Sequence, residues 1–184
     1  MHSLPSAQLT HISQDNYYRK YEDQQQDPEG LVNFDHPDAV DLDYLLADVR
    51  RILAGEAVSV QEYIFNNPDR VPARIVMEPR PLIILEGLFI FYHQPLAQLI
   101  DLKVFVEADE HIKLARRIRR DGQERGYDLE SVLRDYERFV APMYHQYVAP
   151  TKWDADLIVP NNKHMYKAIQ VLIHHLERVL KQRG

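Results

Sequence analysis

The chain contains no cysteine. Within these residues that excludes a disulfide framework, a thiolate metal site and a cysteine nucleophile. It also makes a cytoplasmic location the expectation. No apolar run approaches the roughly 18 residues that a membrane span needs. Met1 to Gln14 shows no basic segment followed by an apolar one, so no secretion signal is read. Glycine is scarce: Gly30, Gly55, Gly87, Gly122, Gly126 and Gly184 are all there are. No two are five apart, none precedes a lysine and no two are two apart. Neither a Walker A loop nor a GxGxxG loop therefore occurs in these residues. Basic charge is in deficit, with 22 Lys and Arg against 28 Asp and Glu, a net charge of −6. That balance argues against non-specific binding to nucleic acid or to an anionic membrane.

What is present suffices for a core. Of 184 residues, 45% are hydrophobic and 10% aromatic, enough for one folded domain with a small lid. Residues 8–14 read as a short strand and 21–37 as an irregular loop. Pro37-Asp38 opens a helix that runs to about Leu53, with Val40, Leu42, Leu45, Leu46, Val49 and Ile52 at helical spacing and Gly55 as the stop. Residues 58–78 read as a β-hairpin or extended excursion. The run Leu82-Ile83-Ile84-Leu85 ending in Glu86-Gly87 predicts a strand buried on both faces, as in a parallel sheet. A short helix at 94–100, a strand at 102–106, helices at 109–121 and 128–148, a strand at 157–159 and a helix at 164–182 follow. Strands alternating with helices predict an α/β fold with a mostly parallel sheet flanked by helices.

In such sheets chemistry gathers at the carboxyl ends of strands. Two acids stand there, Asp15 and Glu86. They can hold Mg²⁺ through water or accept a hydroxyl proton. The competing reading is that Asp15 caps a turn and Glu86 pairs with an arginine. Arg116, Arg117, Arg119, Arg120 and Arg125 form a second cluster, and Arg117 and Arg120 share a helical face. Guanidinium forks suit phosphate oxygens; the alternative is a solvated basic face balanced by Asp121 and Glu124. Tyr17-Tyr18 and Tyr63 with Phe65 either stack on a base or fill the core. The nine histidines show no zinc-ligand spacing, and His174-His175 reads as surface or core filler.

Several segments in order resemble uridine kinases (uridine–cytidine kinases) of the P-loop kinase superfamily. They are Ser13 to Tyr18, Asn33-Phe34-Asp35-His36-Pro37-Asp38-Ala39, Ile83 to Gly87, Arg116 to Asp121, Glu124-Arg125-Gly126, Phe139 to Pro142, and Pro150 to Lys152 with Ala155 to Pro160. The likeness spans nearly the whole chain from Gln8 onward, and Asn33 to Ala39 is its most specific element.

The resemblance implies a single P-loop NTPase-like domain over 1–184, with a β-excursion (58–78) over the nucleoside site and a helical lid (116–128). It implies ATP-dependent phosphorylation of uridine or cytidine at the 5′-hydroxyl, with Mg²⁺ and ATP as cofactor and co-substrate. Asp15 resembles the general base. Tyr18 and Phe34 resemble walls of the nucleoside pocket, Asp35 the acid on the ribose hydroxyls, and Tyr63 a base contact. Glu86 resembles an acid that helps Asp15 place Mg²⁺ through water. Arg117, Arg120 and Arg125 resemble lid arginines.

The chain departs from the family at Pro68, where a base-contacting His is usual, at Tyr127, where a lid Arg is common, and at Asp135, where some members have Gln. The family's first strand, Walker A loop and most of its first helix are not matched. In the family that strand lies centrally, between 8–14 and 81–86 or beside them. The expectation is that this chain alone is weakly active or inactive, and that it is poorly stable or pairs with another copy. The readings that compete with a uridine kinase are a non-catalytic nucleoside- or partner-binding relative and a related small-molecule kinase, phosphoribulokinase-like or pantothenate-kinase-like. The implied partners are a nucleoside and ATP, with homo-oligomers common in the family.

Overall fold

The computed structural model describes residues 6–65 and 69–183. The expectations attached to Met1 to Pro5 and to Pro68 lie outside the described residues. The α/β reading holds, with strand and helix in alternation. The first strand, β1 (Leu9–Ser13), leads into a 3₁₀ turn, Gln14–Tyr17. After the loop, α1 (Leu42–Leu53) is preceded by a separate 3₁₀ turn, Pro37–Ala39, rather than being continuous with it. The physical reason is a cap. The Asp41 carboxylate accepts from the Tyr44 backbone N–H at 3.0 Å, which starts the helix there. Gly55, at φ 88°, lets the chain leave. The excursion is an antiparallel pair, β2 (Val58–Gln61) and β3 (Arg74–Met77).

The apolar run forms β4 (Leu82–Glu86), followed by α2 (Gln94–Ala97), β5 (Val104–Glu107) and α3 (Glu110–Glu124). The expected helix at 128–148 is composite. It comprises α4 (Leu129–Asp135), a π turn at Tyr136–Val140, α5 (Ala141–Met143), a second π turn at Tyr144–Val148 and a 3₁₀ turn at Ala149–Asp154. Pro142 lacks an N–H donor, which leaves the Arg138 carbonyl without its regular helical partner inside the first π segment. Strand β6 (Leu157–Pro160) and helix α6 (Tyr166–Arg183) complete the chain. His174 and His175 are exposed on α6.

The parallel strands do not form one continuous ladder. β1 pairs with β4 over five positions, from Leu9↔Leu82 to Ser13↔Glu86. β5 pairs separately with β6, from Val104↔Leu157 to Glu107↔Pro160. No strand lies between β1 and β4, which leaves only a place beside them for any further central strand. Among the described residues, β4 bonds to no strand but β1, and β5 to none but β6. Burial on both faces, expected for 82–86, is therefore not seen: Ile84 is 37% exposed, and Val106 on β5 is 53% exposed. The core instead gathers under α1, where Leu45, Val49 and Ile52 pack with Ile12, Phe89 and Leu96.

Unpaired apolar strand edges invite pairing with another chain. Residues 1–184 alone should therefore self-associate, or melt below the ~45–65 °C where ordinary domains cluster. Sedimentation and a thermal melt check this; a clean monomer with a cooperative melt above that range would count against it.

Candidate functional site

Parallel pairing brings the two acidic strand ends to the same edge. Ser13 lies opposite Glu86, and Asp15 follows two residues later in the 3₁₀ turn. The turn is held in two ways. Ser13 Oγ accepts from the Asp15 N–H at 3.3 Å. Gln14 is fully buried, and its Oε1 accepts from the Phe89 N–H at 2.8 Å. Asp15 is accessible at the mouth of the site, yet loss of surrounding water raises its carboxyl above the ordinary 3.8. The Glu86 charge raises it further, while Arg125 and Arg120 pull the other way. Glu86 lies 3.6 Å from His11 Nε2 on β1, and among the described residues it does not make the arginine pair of the competing reading.

Aromatic side chains form one wall. The Tyr18 hydroxyl donates to the Phe34 carbonyl oxygen at 3.2 Å, and the rings meet edge-on with centroids 6.3 Å apart. Tyr63 and Phe65 stand 5.2 and 5.1 Å from Tyr18 and 4.7 Å from each other. Asn16 fixes this arm, because its Oδ1 accepts from the Tyr63 N–H at 3.3 Å. Burial, with Asp15 and Asp35 nearby, pushes the Tyr18 hydroxyl well above its usual range, so it stays a neutral donor. Tyr17 divides from Tyr18. It is buried in the core and donates to Asp48 Oδ2 at 3.1 Å, so of this pair only Tyr18 faces the site.

Asp35 sits between this wall and α3. Desolvation raises its carboxyl, opposed by Arg117, whose Nη1 is 3.6 Å away. Arg117 and Arg120 also line a cavity of about 390 Å³ beside α3, together with Lys113, Tyr136 and Tyr144. Arg125 lies 4.7 Å over the Phe65 ring, and burial lowers its pKa. The loop carrying Asp35 is pinned to the composite helix. Arg138 pairs with Asp27 and Glu29, and His36 Nε2 lies 2.9 Å from the Tyr147 hydroxyl. His36 Nδ1 accepts from the Asp38 N–H at 3.2 Å, which leaves Nε2 as the protonated nitrogen of the neutral ring, donating to Tyr147.

The structure thus brings Asp15, Tyr18, Phe34, Asp35, Tyr63, Arg117, Arg120 and Arg125 together, with Glu86 at the same strand edge. Residue patterns left Phe65 open between base and core, and did not find Asn16 or Gln14. Asp121 was read as a charge on a solvated face. It is instead 3% exposed beneath the arginines.

Residues 2–166 match the profile of the Phosphoribulokinase / Uridine kinase family. The chain is 34% identical to a uridine kinase of Streptococcus gordonii, over 98% of this chain and 86% of that protein. It is 39% identical to a uridine kinase of Limosilactobacillus reuteri, over 94% and 79%. Uridine-cytidine kinase A of Dictyostelium discoideum is 38% identical over 94% of this chain, which spans 34% of that longer protein. Among solved structures, a phosphoribulokinase from Rhodobacter spheroides superposes with a TM-score of 0.63 at 18% identity, covering 84% of this chain and 61% of that one. That last likeness speaks to the fold, an α/β kinase fold with parallel strands, whereas the profile and the sequence relatives speak to descent. On that ground the chain belongs to the phosphoribulokinase / uridine kinase family.

Proposed function

We propose that the protein transfers the γ-phosphoryl group of ATP to the 5′-hydroxyl of a pyrimidine nucleoside, uridine or cytidine. The observation that carries this reading is the convergence of a carboxylate, an aromatic wall and three arginines at one edge of the β1–β4 pair. The uridine kinases among its relatives support it. Phosphoryl transfer needs little covalent chemistry from the protein. It needs positioning and neutralised charge.

Asp15 takes the proton of the 5′-hydroxyl. A raised pKa suits a base, since it brings the proton affinity closer to working pH. Tyr18, Phe34, Tyr63 and Phe65 enclose the base by ring contacts. Asp35 accepts from the ribose hydroxyls. Arg117, Arg120 and Arg125 face the phosphates, whose oxygens their forks can grip.

No group of three or more potential ligands surrounds a metal position among the described residues. Mg²⁺ keeps several waters and is usually held by one or two carboxylates together with substrate phosphates. Asp15 and Glu86, two oxygen donors at one strand edge, fit that mode through water. Bound there with ATP, the ion would neutralise phosphate charge. Residues 1–184 carry no glycine-rich phosphate loop, and by themselves they are proposed to turn over weakly or not at all.

The test starts with the N-terminal sequence and intact mass of the native product. Its turnover of uridine and cytidine with Mg-ATP is then compared with that of pantothenate and ribulose 5-phosphate. Pyrimidine nucleosides are expected to be phosphorylated. Turnover of one of the other alcohols instead would overturn the substrate assignment. Nucleoside binding without turnover would make the site a binding module.

A further inference from the structure

Asp121 lies on α3 and is almost entirely buried, yet three cationic side chains converge on its carboxylate. Arg120 Nε is 2.8 Å from Oδ1 and Arg125 Nη1 is 3.4 Å from the same oxygen. Arg117 Nε is 3.2 Å from Oδ2, although off the axis that would make a good hydrogen bond. The main chain of Asp121 contributes as well. Its carbonyl oxygen accepts from the Tyr127 N–H at 3.1 Å, and Gly126, at φ 70°, turns the chain away just after Arg125, which stands one helical turn beyond Asp121 at the C-terminal cap of α3. One residue therefore accepts the bond that closes α3 just past Arg125 and supplies the carboxylate that receives that side chain. Arg117 extends the chain of charges to Asp35.

Three guanidinium groups this close repel one another, and a buried charge left without a partner is costly. Without a carboxylate among them, the three would spread into solvent. With it, they are held as one set whose remaining N–H groups can meet a polyanion without first being ordered. We propose that Asp121 is a positioning residue: it assembles Arg117, Arg120 and Arg125 into a preorganised polyphosphate-binding set while touching neither phosphate nor nucleoside. This rests on the reading of the site as a kinase site, but its test requires no turnover.

The opposite sign is what charge alone would give. Removing an anion from a phosphate site should strengthen phosphate binding. Positioning predicts weakening. The probe is inorganic tripolyphosphate, titrated by calorimetry at low ionic strength into the wild-type chain, Asp121→Asn and Asp121→Glu. Thermal melts confirm that each is folded. The expected order of affinity is wild type, then Asp121→Glu, then Asp121→Asn, with the last at least about fivefold weaker. Equal or tighter binding by Asp121→Asn would overturn the proposal, as would absence of tripolyphosphate binding by the wild type at millimolar concentration. Should Asp121→Asn fail to melt cooperatively, Asp121→Glu decides, because it keeps the charge and moves it. Weaker binding supports positioning and unchanged binding overturns it. If the order holds while uridine and cytidine are not phosphorylated, the role of Asp121 stands and the substrate assignment falls.

Discussion

Asp15→Asn should abolish most turnover and at the same time raise the melting temperature at neutral pH. The first effect follows from removing the proposed base, a loss of roughly 10²–10⁴ in kcat. The second follows from the environment of the carboxyl. Desolvation, reinforced by Glu86, raises its pKa above the 3.8 it has when unfolded. The folded state therefore holds that proton more tightly than the unfolded chain does. The resulting advantage is complete below the unfolded value and is lost as pH rises through the raised one. Above it, the ionised carboxylate opposes folding. Asparagine carries no such charge, so the variant should be the more stable at pH 7, and the two melting temperatures should converge in acid. Melts across pH measure this directly. The acid limb of kcat/KM in the native enzyme should lie above the ordinary aspartate range, and Asp15→Asn should remove that limb from any residual rate. A variant less stable than wild type at pH 7, or one keeping more than a tenth of the activity, would sink the assignment.

Gly87→Ala is expected to damage stability and turnover together, through packing alone. Gly87 does not need glycine's backbone freedom; it needs the absence of a side chain. A Cβ there would stand 2.3 Å from Gln14 Cβ and 2.7 Å from Gln14 Oε1. Gln14 Cβ is fixed close to the main chain, so β1 and β4 must shift apart at their ends. Overpacking of this kind costs about 1–3 kcal/mol. Loosening the buried bond from the Phe89 N–H to Gln14 adds about 1–3 kcal/mol. At roughly 2–4 °C per kcal/mol for a chain of this size, a fall of about 4–24 °C in Tm is expected. Asp15 is the next residue along from Gln14, so the same shift displaces the proposed base. A misplacement of about 1 Å can cost about 10²-fold in rate. A thermal melt and a kcat measurement on the native enzyme suffice, and a variant matching wild type in both would show that the strand ends tolerate the methyl group.

The sequence by itself determined the order and type of the elements, because each is a local matter. The spacing from Leu42 to Ile52 makes a helix wherever it is placed, and Leu82 to Leu85 followed by Glu86-Gly87 makes a strand ending in an acid. The motif resemblance likewise marked the residues that converge, since the segments carrying them stand in the family's order. Three things were decided only by tertiary structure. Burial of β4 depends on its neighbours, and with β1 its one partner among the described residues Ile84 stays exposed. The helix after Asp128 looked uniform in its pattern, but Pro142 removes the donor to the Arg138 carbonyl, which lies in the first of two π turns. Asp121 reads in sequence as one more acid among surface charges. Arg117 and Arg125 stand four residues to either side of it, so helical spacing sets both on its face, with Arg120 adjacent. What only the folded chain supplies is the burial of Asp121, 3% exposed, and the reach of Arg117 onward to Asp35 on a distant loop, because both depend on what packs against α3.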